Sequence, residues 1–283
     1  MKATLAGIGA IALWAFLALL SRGASGIPPL QLTAMAFTVS AALGLGWLAV
    51  RGRLGLLKQS RLAWLHGVGG LAGYHALYFA ALALAPPAEA GLLNYAWPLL
   101  IVLFAAPILG MRLGWSHAVG TLLAGCGCLL LLGQTGEVPR TALVWLGDAM
   151  GFAAAITWAL YSVLSRRMHS VPTEAVAGFC AGAALITLLG HLLVEPTVRP
   201  DGTAWLAVLA LGAGPVGAAF FLWDIGMKQG DPRLLGTLAY ATPILSTLLL
   251  ALGGYAPWSL TLGLAATLVA VGGLVASRRT ATP

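Results

Sequence analysis

Several apolar, helix-length runs in this chain carry polar and aromatic residues near their middle. Tyr74, His75 and Tyr78 lie in one such run at positions i, i+1 and i+4, so on a helix they fall in one sector. A neutral imidazole can accept a hydrogen bond from an ammonium group, and a protonated one can bind a carboxylate. The cluster therefore predicts a binding site for a small polar group. The alternative is a histidine that is tied to a tyrosine hydroxyl and has no further role.

The next run contains Asn94, Tyr95, Trp97 and Pro98. Asn94 offers both a donor and an acceptor, and Pro98 has no N–H for the Asn94 carbonyl four residues earlier. A freed carbonyl within a membrane is tolerated only beside water or protein, where it could accept from a substrate ammonium. Tyr95 and Trp97 are two residues apart, so only a helix break before Pro98 lets both reach one cavity. We therefore predict a broken helix here.

The same arrangement recurs late in the chain, where Tyr240 and Pro243 lie 145 residues after Tyr95 and Pro98. A repeated proline inside two related apolar segments is typical of duplicated membrane proteins whose broken helices face a cavity. Pro98 and Pro243 are therefore the predicted helix breaks. Tyr240 becomes a further candidate for the wall of the cavity.

Two central tryptophans follow the same duplication, because Trp158 lies 144 residues after Trp14. An indole N–H inside a bilayer needs a hydrogen-bond partner or a wet cavity. In an inverted repeat both rings would approach the pseudo-symmetry axis, so we predict that Trp158 lines the cavity, with packing between helices as the alternative. Tyr161, one turn further, either lines the same wall or packs in the core.

The composition indicates which elements position these residues. Of 283 residues, 60% are hydrophobic and only 8% are charged, and the mean hydropathy is +0.93, whereas soluble domains are about 25% charged. We predict an all-α integral membrane protein with ten transmembrane helices, arranged as two inverted five-helix repeats over residues 1–135 and 143–279. The predicted spans, each about 20 residues long, are 3–21, 30–50, 62–84, 88–109, 114–133, 143–165, 173–194, 203–226, 233–252 and 258–277.

The distribution of Lys and Arg predicts the orientation. With the N-terminus inside, 12 of the 15 basic residues fall in inner segments, as the positive-inside rule requires. We therefore predict a multi-pass protein with both termini cytoplasmic. The net charge of +7 is scattered over short loops without interleaved aromatic residues, so nucleic acid is not a predicted partner. The outer basic residues are Arg22, Arg140 and Arg199, and the inner ones are Lys2, Arg51, Arg53, Lys58, Arg61, Arg112, Arg166, Arg167, Lys228, Arg233, Arg278 and Arg279.

Two five-helix halves, the Trp-Ala to Ser-Arg patterns at 14–22 and 158–166, and prolines inside the fourth and ninth spans resemble the drug/metabolite transporter superfamily, EamA type. Within it, Tyr-His-x-x-Tyr at 74–78 and Asn-Tyr-x-Trp-Pro at 94–98 are similar to the aromatic amino-acid exporters. The resemblance implies a secondary transporter that exports aromatic and other neutral amino acids across a bacterial inner membrane, by alternating access through a midplane cavity.

The residue types suit a neutral zwitterion. No Lys or Arg lies at mid-depth, which argues against phosphate esters, and the first span has no glutamate, which argues against cationic-drug antiport. The alternatives are the export of another small metabolite or drug, and an intramembrane serine protease suggested by Gly-Ala-Ser-Gly at 23–26. Cys126 and Cys128 point to different helix faces and Cys180 lies in another segment, so we predict no metal site. A transporter also needs no cofactor, and we predict no enzymatic activity. The predicted partners are a small-molecule substrate and the bilayer, and the predicted state is a monomer.

Three further ionisable residues are predicted to be structural. Asp224 and Lys228 lie four residues apart near the inner side and should form a solvated ion pair. His191 lies near the outer surface and should be interfacial. Energy coupling is then either absent, as in a facilitator, or carried by a proton on His75.

Overall fold

The computed structural model of the chain describes residues 1–132 and 141–277. Residues 133–140 and 278–283 lie outside this description, and they include the predicted junction of the two repeats, the end of the second repeat, Arg140, Arg278 and Arg279. Within the described ranges all regular elements are helical, which confirms the all-α class. The α-helices are α1 (Lys2–Ala15), α2 (Leu17–Gly23), α3 (Pro29–Val50), α4 (Arg61–Leu84), α5 (Pro87–Asn94), α6 (Trp97–Leu109), α7 (Trp115–Leu132), α8 (Ala142–Arg167), α9 (Val176–Val194), α10 (Gly202–Ala213), α11 (Ala219–Gln229), α12 (Pro232–Ala239), α13 (Ala241–Leu252) and α14 (Leu260–Ser277).

Eight segments of the described chain are long and apolar enough to cross a membrane. Two shorter apolar helices, Trp115–Leu130 and Leu260–Ala276, fall where the fifth and tenth spans are predicted. The ten-span count and the inverted repeat therefore stay predictions. The eight candidate spans are Lys2–Gly23, Pro29–Val50, Arg61–Leu84, Ala90–Leu109, Ala142–Arg167, Thr173–Val194, Gly202–Gln229 and Pro232–Leu252.

Three of these candidate spans are interrupted. The fourth breaks between Asn94 and Trp97, and Pro98 lies in the first turn of α6, where its missing N–H leaves no helical bond unmade. The equivalent break at Tyr240 separates α12 from α13, with Pro243 in the first turn of α13. A third break at Phe16, between α1 and α2, was not anticipated from the sequence.

The seventh candidate span, Gly202–Gln229, contains a π-helical turn, Gly214–Ala218, between α10 and α11, where the sequence predicted one regular helix. Pro215 cannot donate a backbone hydrogen bond, which favours such a widened turn. A Cβ atom at Gly217 would lie 2.2 Å from the carbonyl oxygen of Gly212, so only glycine fits there. The indole of Trp14 donates to the Pro215 carbonyl at 3.0 Å, which ties α1 to the turn.

One end of the bundle carries most of the Lys and Arg residues that the structure describes, and we call it the basic end. Here Arg166 donates to the carbonyl of Gly230 at 2.5 Å, which joins the ends of α8 and α11. Arg233 donates to the carbonyl of Arg112 at 2.7 Å, which joins α12 to the segment before α7. These contacts hold the helix ends together across the basic end.

The ion pair between Asp224 and Lys228 lies inside the basic end and not in solvent, so that expectation was wrong. The Lys228 ammonium lies 2.8 Å from the Asp224 carboxylate, and the two side chains are 6% and 5% exposed. Lys228 also donates to the Val171 carbonyl, and the Thr173 hydroxyl donates to Asp224 at 2.6 Å. The linker between α8 and α9 therefore covers the pair, which local sequence spacing could not indicate.

His191, at the opposite end, is also buried where the sequence suggested an interfacial position. Its Nδ1 lies 2.9 Å from the Glu195 carboxylate, and its Nε2 lies 3.0 Å from the Thr197 hydroxyl. The same carboxylate accepts from the backbone N–H groups of Leu30 and Gln31, which begin α3. Glu195 thus accepts hydrogen bonds from backbone donors at the N-terminus of α3, and the loop that begins at Glu195 covers His191.

Candidate functional site

A cavity of about 400 Å³ lies in the centre of the bundle. Its walls come from α1, α2, α3, α4, α8, α10, α11 and α13, from the π-helical turn, and from the break between α5 and α6. The exposed residues Ser25 and Pro29 line its mouth, at the end opposite the basic end. Trp97 and Trp158 line its depth and are only 5% and 4% exposed. The volume falls within the roughly 300–1,000 Å³ that is usual for small-molecule sites.

Most of the residues predicted for the site meet at this cavity. Tyr240 does not line it, because its ring packs against Ala124 and Cys128 in a separate cluster with α7 and α14. Tyr161 also lies elsewhere, stacked on His66 with ring centroids 4.9 Å apart. The predicted residues that line the cavity are Tyr74, His75, Tyr78, Asn94, Tyr95, Trp97 and Trp158.

His75 presents a hydrogen-bond acceptor to the cavity in its neutral form. Its Nδ1 lies 2.7 Å from the carbonyl oxygen of Leu71. A carbonyl can only accept, so Nδ1 carries the proton and Nε2 of the neutral ring carries the lone pair. The ring is held edge-on by Phe37 at 5.1 Å and by Tyr74 at 5.0 Å between centroids. This packing fixes the direction in which a substrate donor can approach Nε2.

The side-chain amide of Asn94 has one hydrogen-bonded atom and one atom without a partner among the described residues. Its Nδ2 donates to the hydroxyl of Tyr74 at 3.1 Å, which assigns Oδ1 as the remaining polar atom. Asn94 is 3% exposed, and Oδ1 has no hydrogen-bond partner within the described residues. Tyr74 in turn stacks on Tyr78 with centroids 6.0 Å apart. A buried acceptor without a partner costs about 1–3 kcal/mol, so a bound donor here would stabilise the site.

Tryptophan rings form the deep wall of the cavity. Trp14 lies edge-on to Trp158, with centroids 5.6 Å apart, and Trp97 lies 6.2 Å from Trp14 and 6.3 Å from Trp158. Trp223, which the sequence reasoning did not classify, packs beneath them and donates to Ser162 at 2.9 Å. Edge-to-face rings of this kind can accept a further aromatic ring at about 0.5–1.5 kcal/mol per contact beyond burial.

Thr242 lines the cavity and was missed by the sequence reasoning. It is 8% exposed, and its hydroxyl has no partner among the residues that the structure describes. Other helical threonines, such as Thr187 and Thr247, donate to the carbonyl four residues earlier. Thr242 follows the helix break directly and lacks such a bond. One signal could have found it, since it lies 145 residues after Trp97, at the equivalent repeat position.

The described lining of the cavity contains no Asp, Glu, Lys or Arg. It therefore suits a molecule with no net charge and gives no charged partner to a phosphate ester or a lone cation. Asn94 and Thr242 line the cavity, and each carries an oxygen without a hydrogen-bond partner among the described residues; His75 lines it as well. Within the described residues, no group of three His, Cys, Asp or Glu side chains could hold a metal ion.

Comparisons with known proteins agree on one family. A model of the EamA-like transporter family matches residues 1–133 and 145–278. The chain is 51% identical over 281 residues to the aromatic amino acid exporter YddG of Ancylobacter novellus, covering 98% of this chain and 97% of that one. It is 28% identical over 294 residues to the exporter of the same name from Salmonella typhimurium, covering 97% and 96%. A solved crystal structure that is 50% identical matches with a TM-score of 0.92 over 98% of this chain and 97% of its own.

Proposed function

The chain belongs to the EamA-like transporter family, and we propose that it exports aromatic and other neutral amino acids by alternating access through the central cavity. Family membership makes it a membrane transporter and not an enzyme. The name of its 51% identical relative, aromatic amino acid exporter, supports the substrate class. The observation that carries the proposal is the cavity itself, which combines aromatic walls and unpaired polar atoms with a described lining that has no formal charge.

The head group of the amino acid binds at the α4 and α5 side of the cavity. Its ammonium donates to Nε2 of His75 and to Oδ1 of Asn94, and the hydroxyl of Tyr78 lies on the same wall to donate to the carboxylate. The side chain of the substrate lies against Trp97 and Trp158. Charge-assisted hydrogen bonds of this kind contribute about 1.5–3 kcal/mol each. Aromatic walls then favour phenylalanine, tyrosine and tryptophan over small residues.

Two inverted five-helix halves provide the mechanism. When the predicted spans are numbered in order, the third packs on the sixth and the first packs on the eighth. Exchanging the two halves maps the pair of the third and sixth spans onto the pair of the eighth and first. The second and seventh spans also pack together, as do the fifth and tenth, and the same exchange maps each of these pairs onto itself. The packing of Trp14 against its repeat equivalent Trp158 at the centre also supports this symmetry. Broken helices at such an interface are typical of secondary transporters.

Among the described residues, Ser25 and Pro29 are exposed in the cavity lining and lie at the end opposite the basic end. Arg166 and Arg233 close the basic end through backbone carbonyls, and the covered pair of Asp224 and Lys228 adds two contacts to the linker before α9. The positive-inside rule makes the basic end cytoplasmic. We infer an outward-open conformation, and we propose a monomer in a bacterial inner membrane with both termini in the cytoplasm. The contacts at the basic end must then separate before a cytoplasmic substrate can enter.

The alternatives have less support. Another small neutral metabolite could occupy the same cavity, and direct competition assays distinguish the two. The serine protease alternative requires a histidine within hydrogen-bond reach of the Ser25 hydroxyl. His66, His75, His117 and His191 form hydrogen bonds with other groups, and His169 lies in the linker between α8 and α9, at the basic end and opposite Ser25.

Flux in liposomes tests the proposal. Purified protein is reconstituted and tested for the uptake of labelled phenylalanine, tryptophan, threonine and methionine, with and without a pH gradient. We expect saturable flux of phenylalanine and tryptophan that each of the other amino acids competes for. Flux equal to that of empty liposomes for all four would refute the substrate assignment. A dependence on the pH gradient would assign proton coupling, and equal rates would assign a facilitator.

A further inference from the structure

A second and larger hollow, of about 720 Å³, lies close to the basic end. It is a groove between the second half of α3 and α11, with the π-helical turn at one end and the linker from α8 to α9 at the other. We call it the basic-end groove. Leu43 and Trp47 in its wall are 57% and 44% exposed, so it opens on the flank of the bundle. In a membrane transporter that flank faces lipid.

The middle of the groove is apolar and shaped by a glycine. Leu43, Phe221 and Ile225 line it. A Cβ atom at Gly44 would lie 3.2 Å from Cζ of Phe221, so the absence of a side chain lets this ring reach across to α3. The result is a furrow without polar head-group ligands in its middle part. It fits a flexible hydrocarbon chain better than a zwitterion.

Cations gather where the groove reaches the basic end. The guanidinium of Arg51 lies over the ring of Trp47, 4.9 Å from its centroid. Lys228, unlike Arg51, lines the groove itself, and its two described acceptors, Asp224 and the Val171 carbonyl, leave the third of its three N–H bonds for a ligand. The one acidic side chain on the described lining, Glu174, is paired with Arg53 at 3.3 Å.

We propose that the basic-end groove binds an anionic phospholipid. One acyl chain lies along Leu43, Phe221 and Ile225, and the phosphate lies between Arg51 and Lys228. The attraction of each Lys or Arg to an anionic membrane surface contributes about a fivefold change in affinity. The lipid would bridge α3 and α11, which belong to different halves of the chain, and this site is independent of the substrate cavity.

Native mass spectrometry of the detergent-purified protein tests the site. The probes are dioleoyl phosphatidylglycerol and dioleoyl phosphatidylcholine, which share their acyl chains and differ in charge. We expect one phosphatidylglycerol to be retained about 25-fold more strongly than phosphatidylcholine, since two cations contribute about fivefold each. Arg51→Gln should remove about fivefold of that retention. Arg61→Gln is the matched control, because Arg61 is exposed near the same end, whereas Arg51 lies over the lining residue Trp47.

A second pair of variants tests the hydrocarbon part. Ala218 is exposed within the groove, and Ala218→Leu should fill it and weaken the retention of both lipids. Ala42→Leu, on an exposed position of α3 outside the lining, should leave both unchanged. Equal retention of the two lipids together with no effect of Arg51→Gln would overturn the proposal. Displacement of the lipid by phenylalanine would also overturn it, because the groove would then be a vestibule for substrate.

Discussion

Replacing His75 with phenylalanine separates the binding role of the imidazole from its packing role. The ring sits among aromatic neighbours, Phe37 and Phe220 at 5.1 and 6.5 Å and Tyr74 at 5.0 Å between centroids. A phenyl ring has nearly the same shape and can keep these edge-on contacts. It lacks Nε2, which is the acceptor proposed for the substrate ammonium. We therefore expect His75→Phe to fold and to bind substrate weakly.

The two ring nitrogens of His75 have separate roles, so the expected losses of stability and of binding free energy can be given separately. Loss of the Nδ1 hydrogen bond to the Leu71 carbonyl should cost about 0.5–1.5 kcal/mol of stability, partly offset by the more apolar ring. Loss of the Nε2 bond to an ammonium should cost about 1.5–3 kcal/mol of binding free energy. The second figure corresponds to roughly a ten- to hundredfold lower affinity for phenylalanine.

Binding of phenylalanine by calorimetry and thermal unfolding in the same detergent measure the two effects. His66→Phe is the matched control, since His66 stacks on Tyr161 and contacts Ser165 outside the central cavity. It should lose stability and keep its affinity for phenylalanine. An unchanged affinity in His75→Phe, or an equal loss in both variants, would refute the role given to His75.

Three further predictions concern single residues. Thr242→Val removes a hydroxyl that has no partner within the described chain, so stability should stay within about 0.5 kcal/mol while phenylalanine affinity falls severalfold; equal affinity in a binding titration would remove Thr242 from the site. Pro98→Ala restores an N–H for the Asn94 carbonyl and favours a straight helix by ~1 kcal/mol, so liposome flux should fall about fivefold, and full activity would show that the break is dispensable. Burial alone would raise the pKa of Asp231, but its hydrogen bonds to Arg233 and the charge of Arg233 hold it below the ordinary value. Asp231→Asn should therefore lower the thermal stability at pH 7, with a gap that persists above about pH 4 and closes as the pH falls further; a gap that widens in acid would contradict this.

Features with a local chemical cause could be predicted from the sequence. The interruption near Pro98 follows from a missing N–H, and its repetition near Pro243 follows from the duplication. The sector shared by Tyr74, His75 and Tyr78 follows from helical spacing. These three residues line the central cavity together, because their positions relative to one another depend only on the geometry of one helix.

Features that depend on distant contacts could not be predicted. The π-helical turn receives the indole N–H of Trp14 at Pro215, and these residues are 201 positions apart. Asp224 is buried because the linker that carries Thr173 lies over it. Tyr240 lies at the repeat position equivalent to Tyr95, but its ring packs in the cluster formed with α7 and α14. Repeat symmetry therefore gave the correct position along the chain without giving the direction of the side chain.

The position of a bound aromatic amino acid tests the central claim most directly. Crystals grown with 5-bromotryptophan would locate the bromine by its anomalous scattering. The account predicts one strong peak in the central cavity beside Trp97 and Trp158, with the ammonium within hydrogen-bond distance of His75 and Asn94. A peak in the basic-end groove, or a central cavity without ligand at saturating concentration, would contradict it.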